Sequence, residues 1–134
     1  MSILAPIIIS ILILTIRYII NSKKRGKSLS RLEERNSLTI DEIYNYFYSS
    51  NNFNKDLVLE LWHEIANTLN IPFGLMRPTD EFGKDVGAYW DWITSEELEV
   101  LSILAQRRAD SHNISIDLSK IDTVDDYIKK FHLL

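Results

Sequence analysis

The chain has 134 residues, room for one sizeable core, with 46% hydrophobic and 25% charged residues, which excludes a disordered or collagen-like polymer. It has no cysteine, so a disulfide scaffold, a thiolate zinc site and a cysteine nucleophile are ruled out. The net charge of −4 divides unevenly: residues 1–35 carry seven basic and two acidic groups (+5), and the rest carry eight basic and seventeen acidic groups (−9). An acidic body of that kind does not displace counterions from phosphate, so nucleic acid is not an expected partner.

Residues Ile3 to Ile20 read ILAPIIISILILTIRYII. At ~1.5 Å per residue they reach roughly 27 Å, near the thickness of a hydrocarbon core. Pro6 fits the first helical turn, Arg17 sits where its stem can extend to headgroups, and Tyr18 is an interfacial aromatic. Lys23, Lys24, Arg25 and Lys27 follow, and no charged side chain precedes the run. The pattern predicts a transmembrane helix over residues 1–21, single-pass in an inner (cytoplasmic) membrane. The amino terminus would lie outside and the remaining domain in the cytoplasm. A cleaved signal peptide would carry its charges on the other side. Residues 22–37 are polar and basic and are expected to form a juxtamembrane linker, leaving 38–134 as the helical domain.

Within that domain Thr39 and Glu42 have capping-box spacing, and Ile40, Ile43, Tyr44 and Phe47 predict a short helix to about Tyr48. Asn54 opens a second helix whose Leu57, Val58, Leu61, Trp62, Ile65, Ala66 and Leu69 keep a helical rhythm over four turns. Asn70 and Pro72 end it. Residues 71–89 read as a loop pinned by Leu75, Phe82 and Val86, with glycines and prolines throughout. Thr94 with Glu97 begins a helix to about Asp110 that buries Leu98, Leu101, Leu104 and Ala105, with Arg107 and Arg108 suiting its C-terminal dipole. Ile114, Ile116 and Leu118 suggest an extended connection. Thr123 with Asp126 opens a last helix through Val124, Tyr127, Ile128 and Phe131. The expected fold class is all-α, a small helical bundle.

That order of elements, together with Leu69-Asn70-Ile71, Leu75-Met76-Arg77-Pro78-Thr79-Asp80-Glu81-Phe82, Phe82-Gly83-Lys84-Asp85-Val86-Gly87-Ala88 and Ile121-Asp122-Thr123-Val124, resembles the acyl carrier protein fold. It resembles in particular a group of small bacterial proteins with an LRPxDxF motif. The resemblance covers about Asn54 to Phe131. It implies a carrier serine at the start of the helix after the loop, where a helix N-terminus favours the phosphodiester of a phosphopantetheine arm. Here Ala88 is followed by Tyr89-Trp90-Asp91-Trp92, and tryptophan accepts no phosphoryl group. Ser95 is the alternative attachment point, reached by counting back from Ile114, but it lacks the flanking Asp and Leu.

Other chemistry fails on spacing. His63-Glu64 is followed by Asn67 where a zinc-protease helix needs its second imidazole. His112 and His132 stand alone, and Asp80, Glu81, Asp85 and Asp91 lack the alternation of a calcium loop. No phosphate-binding glycine loop and no local nucleophile motif occur, so no catalytic residue and no metal site is expected. The expected function is a membrane-anchored, non-enzymatic interaction module without a cofactor. Trp90, Trp92, Glu96, Glu97 and Glu99 form its contact surface toward a cytoplasmic protein with a basic surface. The alternatives are a carrier bearing phosphopantetheine on Ser95, and a small membrane-bound regulatory or immunity-type protein.

Overall fold

The computed structural model describes residues 3–87 and 96–132, and of residues 21–30 the backbone only. Among the described residues five α-helices follow one another: α1 (Leu4–Glu33), α2 (Ile40–Phe47), α3 (Lys55–Leu69), α4 (Glu96–Ser111) and α5 (Val124–Phe131). Among the described residues only isolated bridges represent β structure, Glu81 with Thr123 and Phe82 with Val86.

The helix ends follow from local chemistry. Thr39 accepts the Glu42 N–H while the Glu42 carboxylate accepts the Thr39 N–H, and Thr123 and Asp126 repeat that exchange at α5. Each satisfies two backbone donors that the first turn leaves without intrahelical partners. Asn54 caps α3 by accepting the Leu57 N–H, and Asn70 ends it in the left-handed region at φ 56°, a conformation asparagine tolerates better than most residues.

Helix α3 is the centre of the body. Val58, Leu61, Trp62, Ile65, Ala66 and Leu69 are buried on it, and it packs against α2, α4 and α5. Trp62 is fully buried, yet its indole N–H donates to the Phe73 carbonyl at 2.9 Å, so its volume enters the core without an orphaned donor. From α4 come Leu98, Leu101, Ala105 and Ala109; Leu104, expected inside, is half-buried. From α5 come Val124, Tyr127, Ile128 and Phe131. The stretch at 114–117 carries no regular secondary structure, with Asp117 extended, and leads into a short 3₁₀ segment at Leu118–Lys120. Val86 closes the core from the long loop, and Gly87 (φ +69°) approaches Leu98 so closely that a Cβ there would lie 2.7 Å from its Cδ2.

The amino-terminal expectation is corrected. Among the described residues no helix is long and apolar enough to cross a membrane. The uncharged part of α1, Leu4 to Ile16, is thirteen residues, about 20 Å of helix against roughly 30 Å of hydrocarbon. Counting Arg17 to Ile20 as part of the span had made up the difference. The transmembrane helix in the expected fold class, the single-pass membrane description and the inner-membrane location with an outside amino terminus are therefore withdrawn.

The stretch expected to be a polar linker is also different: helical backbone continues through Glu33. Leu32 is buried in the core, so the end of α1 belongs to the body. Its other end does not, and Ile3, Leu4, Ile7 to Ile9, Ile11 to Leu14, Ile16, Tyr18, Ile19 and Ile20 are exposed.

Candidate interaction surface

Two polar clusters hold the body together and must be separated from any functional site. The first joins α1 to the loop. Arg35 donates from Nη1 and Nη2 to the two carboxylate oxygens of Asp80 at 2.8 and 2.7 Å, and Asp80 also accepts the Arg77 N–H at 2.7 Å. Asp80 is 2% exposed and Arg35 28%, so this fork-on-fork pair buries its carboxylate and leaves its guanidinium partly in water. The hydrogen bond to Asp80 raises the Arg35 pKa above its ordinary value despite partial burial. Arg77 is pulled the other way, by burial and by the neighbouring Arg35. Its guanidinium donates to the carbonyls of Gly74, Met76 and Asn36, which uses it up as a structural brace.

The second cluster lies where α3, α4 and α5 meet. The Tyr127 hydroxyl donates to Glu64 at 2.7 Å, and Arg108 reaches the other Glu64 oxygen at 3.1 Å. Burial works against the Arg108 charge, but Glu64, followed by Glu60, outweighs it and the pKa rises. Burial, then Glu64, holds the Tyr127 phenol far above its ordinary range. Tyr48, which donates to Asp125 at 3.1 Å, is raised in the same way, chiefly by burial. A phenol that stays protonated and saturated with protein partners is a brace, not a general base.

The histidines are far from one another's chemistry. His63 tilts against Phe73, His132 stacks on Phe53 with centroids 3.8 Å apart, and His112 Nδ1 lies 3.0 Å from the Arg108 carbonyl. Among the described residues no three His, Asp or Glu side chains are grouped to hold a metal ion. Asp85 accepts the Glu81 N–H at 3.0 Å and closes a turn. An open cleft of about 440 Å³ beside α5 is lined by Lys120, Lys129 and Lys130 but also by Asp117 and Asp126. Both carboxylates are occupied there with backbone N–H groups, and the mixed signs select no ligand charge.

Of the residues expected at the contact surface, Trp90 and Trp92 lie outside the described residues, as does Ser95. Glu96, Glu97 and Glu99 form the first turn of α4, where carboxylates complement the exposed N–H groups and the dipole. Glu96 and Glu99 are exposed and Glu97 is half-buried. Two neighbours that the sequence reading did not single out join them. Val100 and Ile103 are 43% and 47% exposed, on the side of α4 away from Leu98, Leu101 and Ala105. Periodicity hints at this, since both fall outside the buried register, but an apolar residue off the core stripe is easily read as harmless. Arg107 completes the outer ridge and is exposed.

No family model, no curated protein and no solved structure matches the chain.

Proposed function

We propose that this protein is a non-enzymatic interaction module with an acyl-carrier-like order of helices, and that it docks a basic-surfaced protein through the outer face of α4. The observation that carries the reading is the pair Val100 and Ile103, exposed on the ridge opposite the core beside Glu96 and Glu99. Apolar side chains standing out between charged ones provide area to bury, and the carboxylates steer and orient a cationic partner. Glu97 flanks the same turn, and Trp90 and Trp92 precede it in the chain. The absence of a hydroxyl at Trp90, where the carrier pattern places its serine, supports binding over group transfer.

Cross-linking in cell extract tests the reading. The unaltered chain should capture a protein with a basic surface, and Glu96→Arg with Glu99→Arg should lose it, as should Val100→Ser with Ile103→Ser. An identical set of captured proteins for all three chains overturns the proposal.

A further inference from the structure

The outermost ridge of α4 reads Glu96, Val100, Ile103, Arg107, at intervals of four, three and four residues. With 3.6 residues per turn these four project along one line, opposite the buried Leu98, Leu101, Ala105 and Ala109. On a solvated helix that line is polar throughout. Here it is acid, apolar, apolar, base. The helix dipole accounts for an acid at the start and a base at the end, but it asks nothing of the middle.

The two arginines of α4 have different positions. Arg108 turns inward to Glu64 and Glu60, whereas Arg107 is exposed and makes no ion pair with any described residue. A ridge with this order is its own complement when turned end for end. A second copy lying antiparallel across it brings Val100 against Ile103 of the other chain twice, and Glu96 against Arg107 of the other chain twice. The two-fold axis then passes between Leu101 and Ser102. A parallel copy would set Glu96 against Glu96 and Arg107 against Arg107, so charge selects one orientation.

We infer that α4 pairs with α4 of a second copy in a reversible antiparallel homodimer. The inference rests on the reading of this ridge as the docking face, and it adds a regulation: the face is covered in the dimer and open in the monomer. One helix per partner is well below the roughly 1,600 Å² of a standard stable interface, so the dimer exchanges readily.

Sedimentation of the full chain in a mild non-ionic detergent, which covers the apolar part of α1 equally in every variant, measures the association. Glu96→Arg and Arg107→Glu should each weaken it about tenfold, because symmetry doubles the effect of every exposed pair. The double variant Glu96→Arg/Arg107→Glu should restore it to within about threefold of the unaltered chain. Because the chain has no cysteine of its own, Val100→Cys with Ile103→Cys gives a second readout, a disulfide-linked dimer on mild oxidation. Association that is indifferent to the single reversals, a double variant that is not restored, or the absence of the linked dimer overturns the inference. Capture of a basic protein behaves differently, since it follows position 96 and is not rescued by Arg107→Glu. The two readings therefore fail separately.

Discussion

Replacing Asp80 by alanine tests whether α1 is clasped to the body or merely follows it. The carboxylate accepts three hydrogen bonds between 2.7 and 2.8 Å, two from Arg35 and one from the Arg77 backbone. Removing one member of a fully buried ion pair costs about 3–5 kcal/mol. Arg35 is 28% exposed, so its freed guanidinium regains some water and that part falls to about 2 kcal/mol. The Arg77 N–H, left without its acceptor, adds about 1–2 kcal/mol. The expected loss is therefore about 3–4 kcal/mol, read as the shift in urea unfolding by far-ultraviolet circular dichroism, in mild detergent. The double-mutant cycle with Arg35→Met should show a coupling of about 2 kcal/mol. Amide exchange should accelerate at residues 31–38 before it does in α3. A loss under about 1 kcal/mol, or a coupling under about 0.5 kcal/mol, would refute the clasp.

Tyr48 and Tyr127 are held above the ordinary phenol pKa, so they ionise first in the unfolded chain. Their contribution to stability is complete below about pH 10 and declines above it, by about 1.4 kcal/mol per pH unit for each phenol. Tyr127→Phe should make that decline measurably shallower between pH 10 and 11.5 in urea titrations, and an unchanged slope would show that burial and Glu64 do not hold this phenol protonated. Gly74→Ala should cost about 1–3 kcal/mol in the same assay, because the new Cβ would meet Ser37 Oγ and lie 2.5 Å from the Leu38 carbonyl oxygen. Ser37→Ala should not relieve it, since the backbone remains; full rescue would show that the hydroxyl alone was in the way. Intact-mass spectrometry after co-expression with a phosphopantetheinyl transferase should show no added arm, and a gain abolished by Ser95→Ala would replace the interaction reading with a carrier.

The parts of the fold legible in the sequence are those written within one helical turn. Thr39 with Glu42, Asn54, Asn70 and Thr123 with Asp126 each settle a helix end through bonds spanning three or four residues, so short text suffices. The α3 stripe was legible because seven apolar positions repeat one period. Leu32 was not: one apolar side chain in a polar stretch has no period, yet it is buried in the core. Asp80 stands in a run of acids without calcium-loop alternation, and nothing near it in sequence announces Arg35, forty-five residues away. The anchor reading erred in length, because an apolar composition was extended across Arg17. At the candidate surface Glu96 and Glu99 were legible as exposed acids of a first turn. Val100 and Ile103 were not, because their meaning depends on which side of α4 the core takes.

The turn from Arg77 to Asp80 does more than close a loop. Its side chains hold the end of α1, and its backbone holds the start of α5, since Val124 donates to the Asp80 carbonyl and Asp125 to the Pro78 carbonyl. Phe82, just beyond, donates to the Asp122 carbonyl at 2.8 Å. One short segment therefore ties the residues after the first helix to the start of the last, by main-chain bonds on one side and an ion pair with a buried carboxylate on the other. The carboxylates and guanidinia with buried partners (Asp80, Arg35, Glu64, Arg108) all serve this internal bracing. Among the described residues Glu96 and Arg107 of the outer α4 ridge join no such cluster, and Val100 and Ile103 between them are exposed. On the proposed reading, the apolar area and ordered charge of that ridge are there to meet a partner, whether a basic protein or a second copy.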